Sequence, residues 1–380
     1  MSHPSTILIS AGGTGGGIYP ALAVAEGLYR CAPDCRLHFV GGIGGMERGI
    51  VAREQQNRPL FVDYHEVQSG PLHGVNPLRI ATSLGKLAIG LFQGLRLVDQ
   101  IKPDVLFLTG GWATFPVAVA CWLRRVPLAM FLPDIEPALA IKTLSRLARV
   151  VMTTTAESVT YFPHGTTVLE TGYPLRDTFA TASRETAIGH FALDPKRKTL
   201  LVLGGSRGAR SINEALLPIV PELVAAGLQI LHVTGDLDWR TVQERRERLT
   251  AADKSSYRAF PYLHQDMALA LAAGDLVVSR AGASVLGEFP YFSLPSILVP
   301  YPFAWRYQKI NADWLVARGA ALRLDDSAMR TELLPTILGL VRSPSKRAEM
   351  RRAAAALARQ DAAGDIARRV IALAGDAQDL

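Results

Sequence analysis

The chain has 380 residues, 49% of them apolar, a net charge of +7 and 3 cysteines. That length exceeds one ordinary core and calls for two domains. No apolar run reaches the ~20 residues needed to cross a bilayer, and Cys31 and Cys35 have no second pair to complete a disulfide framework or a metal site.

Residues 1–10 lack a basic start, a long apolar middle and a cleavage site, so a cytoplasmic location is expected. The basic balance attracts polyanions or phosphorylated ligands in general. No aromatic–basic interleaving of a nucleic-acid module is present, and no nucleic-acid partner is expected.

In chain order, residues 6–10 read as a strand, followed by a glycine run and a helix over 20–30 that begins at Pro20. Residues 37–41, 105–108, 128–132 and 150–154 are further strands, the second after the turn signal Lys102-Pro103-Asp104. The stretch 174–198 is polar and irregular and holds the domain boundary, drawn after residue 177. The pattern then restarts with a strand over 199–203, glycines, a helix over 211–226, and strands over 229–234, 276–279 and 296–299. Residues 344–374 form one long Ala/Arg-rich helical pattern. The alternation predicts an α/β chain of two doubly wound parallel sheets, each opened by a strand and a glycine loop. The expected domains are 1–177, 178–350 and a C-terminal helix in 351–380 packing back on the first.

Four stretches carry chemistry. The first, Ser10-Ala11-Gly12-Gly13-Thr14-Gly15-Gly16-Gly17-Ile18-Tyr19-Pro20, is a glycine loop opening a helix, which suits an anion. It lacks the Lys-Ser/Thr of a Walker loop, and its glycines miss the dinucleotide offsets. The second, Gly204-Gly205-Ser206-Arg207-Gly208-Ala209-Arg210-Ser211, repeats that context. In the third, Ser279-Arg280-Ala281-Gly282-Ala283-Ser284-Val285-Leu286-Gly287-Glu288, small residues let a helix start approach a diphosphate, and Glu288 can accept two ribose hydroxyls. In the fourth, a proline–aromatic loop leads into a helix whose Gln308 and Asn311 share a face toward sugar hydroxyls.

In this order and spacing the four stretches resemble the MurG family of bacterial lipid II synthases, the UDP-N-acetylglucosamine–undecaprenyl-pyrophosphoryl-N-acetylmuramoyl-pentapeptide N-acetylglucosaminyltransferases. The resemblance covers residues 6–345 and includes Thr109-Gly110-Gly111-Trp112, Thr171-Gly172-Tyr173-Pro174-Leu175-Arg176 and Pro261-Tyr262-Leu263. It implies the GT-B fold, two Rossmann-like domains facing across a cleft. It also implies inverting transfer of N-acetylglucosamine from UDP-GlcNAc to a lipid-linked acceptor, with no cofactor and no metal. By resemblance the donor is met by Thr14, Gly15, Gly16, Arg176, Ser206, Tyr262, Leu263, Ala283, Ser284, Val285, Glu288, Gln308 and Asn311. Tyr262 and Leu263 would cover the uracil. The acceptor is met by Gly13, Thr14, Gly15, Gly16, Gly110 and Gly111.

The chain departs from the family on the acceptor side. Gly17 stands where the first loop usually ends in His, Asp134 where an Asn is usual, and Tyr307 where His or Gln is usual. An inverting transfer needs a base for the acceptor hydroxyl. Asp134 is the leading candidate, with Glu136 beside it in a proline-bounded apolar loop and His73 as the second choice.

Residues 78–98 bear on the lipid. At 100° per residue Ile80, Leu84, Leu87, Leu91, Leu95 and Val98 form a core face. Leu78, Ile89 and Phe92 form a second strip flanked by Arg79, Lys86 and Arg96, suited either to an anionic membrane surface on the inner face of the cell membrane or to a neighbouring helix. Two other readings stay open: a different lipid glycosyltransferase using a UDP-sugar, and a nucleotide-sugar-binding relative without catalysis. An NAD-dependent oxidoreductase fits the glycine loops but not Glu288, Gln308 and the duplicated sheet.

Overall fold

The computed structural model describes residues 4–70, 77–205, 208–303 and 306–378, with side chains for 4–70, 81–205, 208–303 and 306–375. It divides into two compact units, Met1–Arg176 with Asp361–Leu380, and Asp177–Gln360.

The first unit is built on seven parallel strands: β1 (Thr6–Ser10), β2 (Arg36–Gly42), β3 (Asp63–Val67), β4 (Val105–Leu108), β5 (Leu128–Leu132), β6 (Val150–Thr153) and β7 (Val168–Glu170). Their order in the sheet is β3-β2-β1-β4-β5-β6-β7. Helices cover both faces, so strands such as Val105–Leu108 are apolar at every position instead of alternating. The second unit holds six parallel strands, β8 (Lys198–Leu203), β9 (Leu228–Val233), β10 (Tyr257–Phe260), β11 (Leu276–Ser279), β12 (Ser296–Leu298) and β13 (Ala321–Arg323), ordered β10-β9-β8-β11-β12-β13. In each sheet the order reverses beside the opening strand, between β1 and β4 and between β8 and β11. Ligands of open α/β sheets bind outside the strand C-termini at that reversal.

Several local expectations are corrected. Helix α1 is Gly15–Cys31, starting five residues before Pro20, so Gly15, Gly16 and Gly17 form its first turn. Pro20 lies inside it, where only one intrahelical donor is lost. The helix expected over 211–226 is broken into Arg210–Leu216, a tight turn Leu217–Ile219 and Val220–Ala225, because Pro218 and Pro221 interrupt the amide ladder. The C-terminal pattern is two helices, Pro344–Ala356 in the second unit and Ala362–Gln378 in the first. Residues 351–360 therefore stay with the second unit. The last helix packs on α1. Gly27 permits this: a Cβ there would lie 2.7 Å from the Ala363 carbonyl oxygen. The stretch 174–198 carries two short helices, Asp177–Thr181 and Arg184–His190.

Three further helices cover the first sheet: α2 (Glu47–Asn57), α3 (Pro77–Ile101) and α4 (Phe115–Leu123). The face α3 turns inward is set by its small residues. A Cβ on Gly90 would run into the Gln68 carbonyl and lie 3.1 Å from Pro116, and one on Gly94 would lie 3.1 Å from Ala120. Leu97 and Val98 join the core on that side. Leu84, expected in the core, is instead 54% exposed.

Candidate active site

In the first unit the reversal point is lined by the β1 and β4 loops. The Thr109 hydroxyl donates to the Gly17 carbonyl at 2.8 Å, tying the β4 loop to the start of α1. Gly111 fits closely: its φ is +91° and a Cβ would sit 2.6 Å from the Gly12 carbonyl oxygen. Only glycine meets both conditions. The Thr114 hydroxyl closes the turn by donating to the Gly111 carbonyl at 2.8 Å. Gly13 and Thr14 are exposed beyond this clamp, and Thr14 is the N-cap of α1 with extended backbone and no capping bond from its side chain. The first amides of a helix have no intrahelical acceptor, which leaves those of Gly15 and Gly16 suited to an anion. Thr14, Gly15, Gly16, Gly110 and Gly111 are thus gathered at one edge. A Cβ built on Gly17 meets only Gly12 and Thr109, at 3.4 and 3.5 Å, so sterics do not enforce glycine at the position where the resemblance leads one to expect His.

Asp134 and Glu136 lie half-buried in the loop after β5, between buried Pro133, Ile135 and Pro137. The Thr154 hydroxyl fixes that loop by donating to the Pro133 carbonyl at 2.8 Å. His73 lies outside the described residues. Glu47, which sequence reasoning passed over, is 2% exposed and accepts the Gly42 amide at 2.7 Å. Its carboxylate lies against Gly12, so it joins the β1 and β2 loops. The signal was its place at the end of Gly41-Gly42-Ile43-Gly44-Gly45-Met46-Glu47, a glycine run followed by one acid.

Arg176, expected at the donor, has its described partners on α1 and α2. It is 6% exposed, pairs with Glu54 at 2.8 Å and sits 4.8 Å from the Tyr19 ring centroid, all within the first unit. Its guanidinium links α1 to α2. Nearby Glu26 is buried in α1, and burial pushes its carboxyl up to about 7 against the opposing pull of Arg176.

In the second unit, Ser206 lies outside the described residues. The flanking loop is seated on β9, where a Cβ on Gly208 would meet the Thr234 carbonyl at 2.7 Å. The Asn213 amide donates to that same carbonyl at 2.9 Å and to Asp238 at 3.0 Å. Its oxygen faces His232 Nε2 at 2.9 Å, while Tyr257 lies 2.7 Å from Nδ1. An amide oxygen only accepts, so Nε2 carries the proton and Nδ1 accepts from the tyrosine. Burial pushes His232 down to about 3, so the imidazole is neutral.

Across the reversal, Ala283 and Val285 are buried and Ser284 is half-buried at the start of the helix Val285–Tyr291. Glu288 lies half-buried in its first turn. Gln308 accepts the Tyr301 amide through Oε1 at 2.9 Å, so a sugar hydroxyl would be met by its Nε2 donors. Asn311, expected to face a sugar, is fully buried and donates to the Ala281 carbonyl at 3.1 Å. It acts on the loop. Tyr262 is half-buried, with its ring 4.5 Å from that of His264, whereas the Leu263 side chain is buried and leaves only backbone to a base.

Ile89 and Phe92 are each 55% exposed on α3, next to exposed Lys86 and Arg96, and the Arg96 guanidinium lies 4.2 Å from the Phe92 ring centroid. Leu84 widens this apolar sector. The side chains of Leu78 and Arg79 lie outside the described residues. Among the described residues no helix is long and apolar enough to cross a membrane.

Residues 7–153 match the glycosyltransferase family 28 N-terminal domain and residues 199–366 the family 28 C-terminal domain. With the two parallel sheets, this makes the chain a glycosyltransferase of GT-B architecture. It is 36% identical to the UDP-N-acetylglucosamine–N-acetylmuramyl-(pentapeptide) pyrophosphoryl-undecaprenol N-acetylglucosamine transferase of Desulforudis audaxviator, over 97% of this chain and 98% of the relative. It is 34% identical to that of Roseiflexus sp., over 96% and 94%. The solved structure of Acinetobacter baumannii MurG superposes with a TM-score of 0.73 at 25% identity, over 97% of this chain and all of that one. The chain belongs to this family of N-acetylglucosamine transferases.

Proposed function

We infer that the enzyme transfers N-acetylglucosamine from UDP-GlcNAc to lipid I, undecaprenyl-pyrophosphoryl-N-acetylmuramoyl-pentapeptide, forming lipid II. Family membership over nearly the whole chain carries this reading. The acceptor is assigned to the β1, β4 and β5 loops of the first unit, and the donor to the loops after β8, β11 and β12 of the second. The acceptor hydroxyl oxygen attacks the anomeric carbon on the face opposite UDP, the bond to the β-phosphate oxygen breaks, and configuration inverts. No resident cofactor or metal is invoked.

The proton of the hydroxyl must go to a base. Gly17 has no side chain to take it, and Asp134 supplies a carboxylate in the loop after β5. General-base catalysis contributes ~10²–10⁴-fold. Asp134→Asn should lower kcat by about that factor, with UDP affinity nearly unchanged, in an assay with UDP-GlcNAc and a lipid I analogue. Near-parent turnover by Asp134→Asn together with loss in His73→Ala moves the base to His73. Absence of GlcNAc transfer by the parent sinks the whole reading. The apolar sector Leu84, Ile89 and Phe92 with its flanking cations supports a peripheral site on an anionic membrane face.

A further inference from the structure

Arg280 directly follows β11 and is 7% exposed, yet its side chain reaches three separate segments of the second unit. Nη2 donates to the Ser211 hydroxyl at 2.6 Å, on the helix that follows the β8 glycine loop. Nη1 pairs with Asp326, beyond β13, and donates to the Val299 carbonyl at 3.2 Å, just past β12. The Ser211 hydroxyl in turn donates to Asp326 at 2.8 Å, which closes a ring of three side chains in which Arg280 donates to both others and Asp326 only accepts. The guanidinium also lies 5.2 Å from the centroid of the Tyr301 ring.

Those segments lead to the groups assigned to the donor. Ala281 follows Arg280 directly and is held on its other side by Asn311, so the 281–288 segment is clamped at its root from two directions. Tyr301, under the guanidinium, donates its amide to Gln308. One buried cation thus fixes the root of the Glu288 segment, the loop that orients Gln308 and the helix behind the β8 loop. A planar five-donor fork can serve these partners together, whereas the point charge of a lysine cannot.

We propose that Arg280 is a positioning residue for the donor, setting the 281–288 segment and the Gln308 side chain in register for UDP-GlcNAc. This rests on the donor assignment made above. It predicts effects on donor affinity and sugar choice from a residue that touches neither.

The test compares the parent with Arg280→Lys, Arg280→Met and Ser211→Ala. UDP binding is measured by calorimetry, kcat/KM for UDP-GlcNAc and for its C4 epimer by turnover, and folding by Tm. Arg280→Lys should raise the donor KM at least tenfold and narrow the epimer preference at least threefold, with the acceptor KM unchanged. Ser211→Ala should shift both in the same direction by a smaller factor. Methylguanidinium added to Arg280→Met should recover part of the UDP affinity. A merely structural role predicts a lower Tm and less active enzyme, with donor KM and epimer ratio unmoved, and that result overturns the proposal. If Arg280→Met does not fold, Arg280→Lys and Ser211→Ala decide on the same two readouts. A parent that binds no UDP overturns the donor assignment and this proposal together. A parent that binds UDP, with variants that match it, overturns this proposal alone.

Discussion

Gln308 and Asn311 stand three apart on one helix, which puts them on one face, yet burial gives them different work. Asn311 is inside, on the Ala281 carbonyl, and Gln308 is half-buried beside Tyr301. Gln308→Ala should narrow the preference for UDP-GlcNAc over its C4 epimer, because a site built to hydrogen-bond a hydroxyl rejects analogues that misplace it. Glu288 calls for a different measurement. A carboxylate accepting ribose hydroxyls contributes roughly 1.5–3 kcal/mol, so Glu288→Ala should weaken UDP at least tenfold. An unchanged calorimetric titration removes Glu288 from the donor site. The sequence displays Glu288 and Gln308 because each sits beside loop punctuation. It conceals the work of Arg280 and Asn213, because their partners are backbone groups and side chains far along the chain. Arg280 to Asp326 spans 46 positions and Asn213 to Thr234 spans 21.

At the scale of elements, the inner strands were legible, whereas the four edge strands β3, β7, β10 and β13 and the helix ends were not. A parallel strand covered on both faces is a short apolar run, and β1, β4, β5, β8 and β11 fall where such runs occur. Helix starts failed where glycine was read as loop, since Gly15, Gly16 and Gly17 turn helically once Thr14 is extended. On α3, periodicity gives two apolar strips but misplaces Leu84, because the inward face is chosen by how closely Gly90 approaches the Gln68 backbone and α4, and Gly94 approaches α4. The outward sector is then Leu84, Ile89 and Phe92, with Lys86 and Arg96 on its flanks. Each basic residue near an anionic surface is worth ~1 kcal/mol, and that share is screened by salt. Changing the three apolar residues together to Ser should release the protein from anionic vesicles in a flotation assay, with Tm nearly unchanged. The parent should also release as salt is raised. Equal flotation of mutant and parent would assign the sector to another partner.

At the scale of the whole molecule, the chain leaves the first unit at Arg176 and returns at Asp361. Both ends meet α1: Arg176 beside Tyr19 and the buried Glu26, and Asp361 through Arg30 at 3.4 Å. The two units carry buried groups of opposite pH sense. The Glu26 carboxyl titrates near 4.5 when solvated and at about 7 in the fold. Between those values the folded state keeps a proton that the unfolded state has released, so the first unit loses stability as pH rises through that window. His232 titrates near 6.5 when solvated and at about 3 when buried. Its contribution is complete above 6.5 and is lost as pH falls toward 3. Opening free energies from hydrogen exchange, corrected for intrinsic rates, separate the units. Amides of β1 should lose protection from pH 5 to 8, and amides of β8 should lose it from pH 6.5 downward. Glu26→Gln should stabilise β1 by about 1–3 kcal/mol at pH 8 and by little at pH 4.5, in line with 1.36 kcal/mol per unit of pKa shift. It should leave β8 unchanged. If both strands follow one pH profile and Glu26→Gln leaves it unaltered, Glu26 is not the group that sets the first unit's response.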